Sequence, residues 1–513
     1  MNLLTDPVFR VETPEGTTRF DLPQLLDALG RDRVESLSGL QRHQEDSFHV
    51  FLCYLAGAVL AREGLEDTRQ DARFWRESIQ RLTIQQGCAN DSAWTLVVDD
   101  VTQPAFMQVS LASRSAFDAF KPKASTPDSL DILATAKSHD VKARRVSSPE
   151  IDDWVYALIS LQTMAGFFGQ GNYGIARMNG GFGSRPVVGL VSGLRYGERF
   201  SRDVKRLLAV RGALLAGPWG YIREGIVFSW ISRWDLKTSI ALRALDPFYI
   251  EMARALRLVE KDGAIFAKGS PSKTTRIMAN ETNGVMGDPW TPVNRKKPSS
   301  LTVSPRGLTP DLLRNLLFED GFDLTAMQRP GIGREDEPCQ FTASVLVRGQ
   351  GTTDGFHSIS VPVPAPVSSR LFRRGPERDR LAELSKTALN DAGTMQNRVL
   401  KPAFFTLLES NPDRVDGWWQ QAAASFSGAW SGDFFPWLWR TVEREDREQA
   451  RLEWLKSLRG KAETVLREAV ERYPARDGRR YRARVNANGL FFGTLNKNFP
   501  ELKEAHYDAP RNG

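Results

Sequence analysis

Apolar and polar positions divide this chain into segments of recognisably different period. The longest apolar run covers residues 50–61, far short of the roughly 20 residues needed to cross a bilayer. It predicts a buried helix over residues 48–60, and the run at residues 154–168 predicts a second core helix. Val8-Phe9-Arg10-Val11-Glu12, followed by Pro14-Glu15-Gly16, predicts a strand entering a tight turn. Residues 345–349 and 355–361 are β-like runs around a Gly-rich polar tip, the pattern of a hairpin with a protruding loop. The polar stretches 121–128 and 137–149, rich in Lys, Arg, Ser and Pro, predict long loops.

The texture changes near residue 370. Residues 361–366 alternate Val or Ala with Pro and predict an extended segment, because proline removes backbone donors. Beyond Arg373-Arg374-Gly375-Pro376 the pattern is helical. Leu452, Leu455, Leu458, Ala462, Val465, Leu466, Ala469 and Val470 fall mostly three and four apart, with charges on the other faces. Trp418, Trp419, Phe434, Phe435, Trp437, Leu438 and Trp439 read as core filling, and Pro412, Gly432 and Pro474 as breaks between helices. Three or four such helices with short connections make a bundle, and we expect four. The expected fold is α+β: a large mixed N-terminal domain, residues 1–370, then a C-terminal helical bundle, residues 371–513. No internal repeat is present.

Composition adds little to fold and something to partners. The 513 residues are 41% hydrophobic and 26% charged, an ordinary globular balance. The net charge of +7 suits a polyanion without requiring one. Cys53, Cys88 and Cys339 are far apart and form no CxxC pair, which argues against a disulfide framework or a cysteine zinc site and fits a reducing cytosol. The N-terminus has no basic region followed by an apolar one. A soluble cytoplasmic protein with no membrane partner is expected.

Catalysis needs convergent groups of suitable pKa or a bound metal. His43, His49, His139, His357 and His506 are dispersed, with no HxxxH or HExxH pair. No GxxxxGK[ST] loop is present, and Gly189-Leu190-Val191-Ser192-Gly193 lacks nucleophile-elbow spacing. Asp99-Asp100 and Asp152-Asp153 invite a two-metal nuclease reading, but paired acids commonly cap helices and turns. We expect no catalytic residue, no metal and no cofactor.

Three constellations remain. The run 169–186 is dense in glycine, which admits positive φ and lets backbone approach a ligand; its Arg177 and Arg185 would meet phosphates, and the alternative is a bent loop between core elements. In the hairpin 345–361, the tip would act as a wedge between duplex strands, or simply as a surface turn. Lys137-Ser138-His139-Asp140-Val141-Lys142-Ala143-Arg144-Arg145 is a basic loop, either solvated or in contact with phosphate.

These pieces stand in a familiar order. Met1-Asn2-Leu3-Leu4-Thr5-Asp6-Pro7, Pro104-Ala105-Phe106-Met107-Gln108, the run 172–186, Gly287-Asp288-Pro289-Trp290-Thr291-Pro292-Val293, the hairpin 348–357 and a C-terminal bundle follow one another. Over nearly its whole length the sequence resembles the large subunit of the type I-E CRISPR Cascade complex. The resemblance implies a non-catalytic subunit of a crRNA-guided antiviral assembly that recognises a protospacer-adjacent motif in duplex DNA, begins R-loop formation and helps recruit a helicase–nuclease. Its partners would be double-stranded target DNA, the crRNA-containing Cascade subunits and that nuclease. By position, Asn179, Gly180, Gly181, Phe182 and Gly183 would form a DNA-binding glycine loop. Gly349, Gln350, Gly351, Thr352, Thr353, Asp354 and Gly355 would form the wedge. Lys137, His139, Lys142, Arg144 and Arg145 would form the docking loop, and Lys268 or Lys273 would be the motif-reading lysine. Two departures stand out: the cysteine cluster that some relatives carry near that lysine is missing, and the wedge tip presents Thr352-Thr353 rather than amide side chains. The alternatives are a metal-dependent nuclease and a purely structural scaffold subunit.

Overall fold

The computed structural model describes the chain except residues 132–148, 179–182, 332, 350–351, 408–411, 445, 473–476 and 505–513. Two compact units result: Met1–Leu308 with Gly321–Gly331 and Cys339–Pro362, and Thr309–Asp320 with Ile332–Pro338 and Val363–Gly513.

The first unit is α+β. The predicted strand and tight turn are present, and the turn at Pro14 and Glu15 leads into a second strand, so that Phe9–Thr13 and Gly16–Phe20 pair as a hairpin. Helix α1 (Arg42–Glu63) starts on a reciprocal Gln41/Gln44 capping box and stops at Gly64, whose φ of 70° only glycine adopts cheaply. Every residue from 47 to 60 is buried, so α1 is a core helix without a polar face. Helix α2 (Ile151–Met164) packs against it. It ends four residues short of the apolar run, because Ala165 leaves the helix and its carbonyl accepts from Ile175 N instead.

Strand β1 (Val187–Val191) and helix α3 (Tyr196–Leu215) follow, then β2 (Leu245–Ile250) and the antiparallel pair β3 (Leu256–Lys261) and β4 (Ala264–Gly269). The stretch 121–128 is not the expected loop. Lys121–Ala124 forms a third strand on the free edge of β4, and Pro127–Asp131 a helical turn. An unpaired sheet edge captures such a strand whatever its polarity, since backbone groups make the bond. Strand β5 (Cys339–Gly349) pairs with β1, and β6 (Thr352–Val363) with β5. Trp75, Trp94, Trp154, Trp230, Trp234 and Trp290 fill the core.

The extended segment after β6 is shorter than expected: a helix begins at Ala365, with Pro366 in the first turn where no intrahelical N–H is needed. Among the described residues, four long helices form the C-terminal part. These are α4 (Pro376–Thr394), continued through a π-helical turn (Met395–Leu400) into α5 (Lys401–Leu407), then α6 (Pro412–Thr441), α7 (Arg447–Glu471) and α8 (Asp477–Asn498). The Leu455–Val470 stripe is buried, and Trp454 stacks on Trp437 at 4.9 Å. Gly432 does not break α6; nothing crowds it, and the helix passes through. Among the described residues, no helix is long and apolar enough to cross a membrane.

Candidate nucleic-acid interface

The described residues on either side of 179–182 in the run 165–186 are held by contacts to distant parts of the chain. Gly169 and Gly171 adopt φ of 110° and 80°, turning the chain so that Asn172 N donates to Gly169 O. A side chain on Gly171 would collide with Pro271, and Ser272 N donates to Gly171 O at 2.9 Å. That contact joins the glycine run to the 268–273 segment. The Arg254 guanidinium donates to the carbonyls of Gly166 and Tyr173 and lies 4.5 Å over the Phe168 ring.

Arg177 and Arg185 do not reach outward to phosphate; both are buried, at 3% exposure. Arg177 sits 3.7 Å over the Tyr249 ring and 4.9 Å from Tyr54, donates to Tyr249 O and faces Glu251 at 3.5 Å. Arg185 Nε and Nη2 donate bidentately to Asp288 at 2.6 Å each. Asp288 also accepts from Thr291 Oγ1 and Trp290 N, which gives the Gly287–Pro292 motif a physical purpose. Burial would raise the Asp288 carboxyl, but the Arg185 charge more than offsets it and holds it below its ordinary value. Burial pushes the Glu251 carboxyl up, Arg177 offsetting it only in part. The reason is desolvation: a guanidinium inside a protein is tolerable only when paired, so two arginines beside glycines became anchors rather than exposed hands.

Between these anchors, Asn179, Gly180, Gly181 and Phe182 lie outside the described residues; Gly183 is buried, and a Cβ there would come 2.5 Å from the Thr302 methyl. The basic loop with Lys137, His139, Lys142, Arg144 and Arg145 also lies outside them.

The strands of the hairpin are longer than the composition implied. Thr352, Thr353, Asp354 and Gly355 belong to β6, and Gly349 ends β5; Gln350 and Gly351 lie outside the described residues. Register fixes where the hairpin points. Gln340 faces Val191 and Ser344 faces Val187 in an antiparallel ladder, so β5 beyond Ser344 continues past the residues that precede Val187. The chain entering β1 from Gly183 and the far end of β5 therefore lie at the same end of one sheet, ordered β6-β5-β1. From Ser344 to Gly349 the overhang is about 17 Å. Behind it, Ser184, Arg185, Ser344 and Phe356 line a small pocket of about 20 Å³, and the buried Oγ of Ser184 finds no protein partner. His357 packs on Gly307, where no side chain would fit.

The two candidate lysines are separated by role. Lys268 lies within β4, its Nζ 5.4 Å over the Phe117 ring. Lys273 is exposed on the wall of a cleft of about 530 Å³, shared with Tyr173, Ile175 and Met178 of the glycine run.

Three of the four paired acids have structural partners. Asp100 accepts from Thr102 N and Oγ1 in a turn, Asp153 caps α2 through Glu150 N, and buried Asp152 pairs with Arg10 at 2.8 Å. Sequence reading missed one constellation. His49 and Cys53, one turn apart on α1, converge with Asp203 of α3, the ligand atoms within 4.8 Å of one another. His49 Nε2 and Asp203 Oδ2 are 2.8 Å apart, while Arg202 pairs with Asp203 and Arg199 with Asp46 nearby. Two guanidinium groups beside the donors oppose a cation, so the set fits a hydrogen-bonded core pair better than a metal. Burial and Arg199 together depress the His49 pKa.

No protein-family model matches this sequence, and no curated protein matches it. Solved structures do. CasA of Thermus thermophilus superposes with a TM-score of 0.60 at 14% identity, over 97% of this chain and 99% of that one. Cse1 of Thermobifida fusca gives 0.58 at 16% identity, over 98% of each chain. Cse1 of Acidimicrobium ferrooxidans gives 0.56 at 14%, over 97% and 98%. Over nearly its whole length, this chain has the fold of the CasA/Cse1 proteins.

Proposed function

We propose that this protein is a non-catalytic subunit of a crRNA-guided surveillance complex that reads a protospacer-adjacent motif in duplex DNA, starts strand separation and helps recruit a helicase–nuclease. The observation that carries the reading is that the chain entering β1 from Gly183 and the far end of hairpin strand β5 lie at one end of one sheet, with Lys273 on a cleft shared by the glycine run. A chain of a CRISPR RNA-guided surveillance complex has the same fold, with a TM-score of 0.57 at 14% identity. Backbone and a lysine entering the minor groove would distinguish mainly A·T from G·C and so tolerate several motifs, leaving sequence to guide pairing. Opening the first base steps costs on the order of a few kcal/mol, which motif contact and the hairpin would offset.

The test is reconstitution with a crRNA-containing complex, followed by binding to duplexes with and without the motif. The chain is expected to confer motif-dependent binding. Gly181→Trp should abolish that dependence, and deletion of residues 351–354 should impair strand opening more than initial binding. Normal assembly without motif discrimination would reject the reading in favour of a scaffold.

A further inference from the structure

The cleft beside the glycine run has chemistry that duplex reading by itself does not use. Its volume, about 530 Å³, lies in the range of small-molecule sites. Phe167 and Tyr173 line it with rings 6.1 Å apart, Met178 and Ile277 add apolar surface, and Met278 is 58% exposed. Polar groups are few and placed: Lys273 and Asn280 are exposed, and the buried Thr274 hydroxyl finds no protein partner. The wall is preformed. Gly174 packs directly on the Gly166 backbone, and Arg254 clasps the carbonyls of Gly166 and Tyr173. A rigid site of this kind loses little entropy on binding.

Aromatic side chains, apolar surface, a spare hydroxyl and a single cation suit a flat heteroaromatic ring carrying one phosphate. A nucleoside triphosphate would need more positive charge than Lys273 offers. We propose that this cleft takes up one nucleobase unstacked from the DNA beside the recognised motif, with Tyr173 offering a stacking face, Thr274 a hydrogen bond to the base edge and Lys273 a contact to the adjoining phosphate. The inference rests on the duplex-reading function proposed above. Its logic is that unstacking costs least for a mismatched base, and that stacking on a protein aromatic returns part of that cost.

The test uses the full chain in its reconstituted complex and a series of motif-bearing duplexes, each with one mismatch at a successive position beside the motif. One position should bind about tenfold tighter than the matched duplex, a size set by loss of one base–aromatic stack. Replacing that base by an abasic site should remove the gain, and so should Tyr173→Ala, while Tyr173→Phe should keep it and show that the fold is intact. Thr274→Val should reduce the gain for bases with a matching edge and leave it intact for bases without one. A gain that survives both the abasic site and Tyr173→Ala would overturn the cleft proposal alone, as would no gain at any position with motif dependence intact. Absence of motif-dependent binding by the unaltered chain would instead overturn the function on which it rests.

Discussion

The glycine run 165–186 and the hairpin 339–363 look alike in sequence: each sets glycines and polar residues between apolar stretches. The first is fixed by side chains reaching far along the chain, Arg177 to Tyr249 and Arg185 to Asp288. The second is fixed by its backbone ladder and projects beyond the last rung it shares with β1. A loop that presents backbone to a ligand needs its flanks immobilised, and buried ion pairs do that at a point. The wedge we propose needs reach and stiffness, which two paired strands supply without buried charge. The two segments should therefore respond oppositely to mutation, the first through stability and the second through function.

The largest effect is expected from Asp288→Ala, which leaves Arg185 charged, buried and unpaired. Unfolding by denaturant should show a loss of about 3–5 kcal/mol in the first unit; a loss below about 1 kcal/mol would break the contrast between the segments. Arg177→Met should cost less, about 2 kcal/mol, because Glu251, already pushed up by burial, can take a proton and stay in place. Gly171→Ala places a Cβ against Pro271 at positive φ, and should cost about 1–2 kcal/mol in a thermal melt.

The pH dependence follows from His49, whose folded pKa is depressed by burial and by Arg199. The contribution is full above the unfolded value of about 6.5 and is lost as pH falls through the folded value. Urea midpoints of the first unit should decline from neutrality toward mild acid, and His49→Gln should flatten that decline. Smallest of all, Thr353→Ala in the overhang should change stability by no more than about 0.5 kcal/mol, while slowing strand opening in a fluorescence assay on a motif-bearing duplex.

Much of the architecture was legible because its signals are local. The run at 50–61 is a helix buried on all sides, the Leu455–Val470 stripe packs inward, and the β-like runs around 350 pair as a hairpin. The failures share one cause. Lys121–Ala124 reads as a loop until β4 offers an edge more than 140 residues away, with Ala267 opposite Ala124. Arg185 reads as a phosphate contact until Asp288, 103 residues on, takes it inside. His49 and Cys53 gain a third neighbour only when α3 brings Asp203.

By itself, then, the sequence determined the order and kind of the elements, since hydrophobic period and turn chemistry act over a few residues. It also determined the resemblance on which the functional reading first rested. Only the tertiary structure decided which charges face solvent and which are anchors, because the cost of burying an ion depends on partners that the chain supplies from elsewhere. It decided as well that the chain entering β1 from Gly183 and the far end of β5 lie at the same end of one sheet, a consequence of strand register that no local pattern encodes.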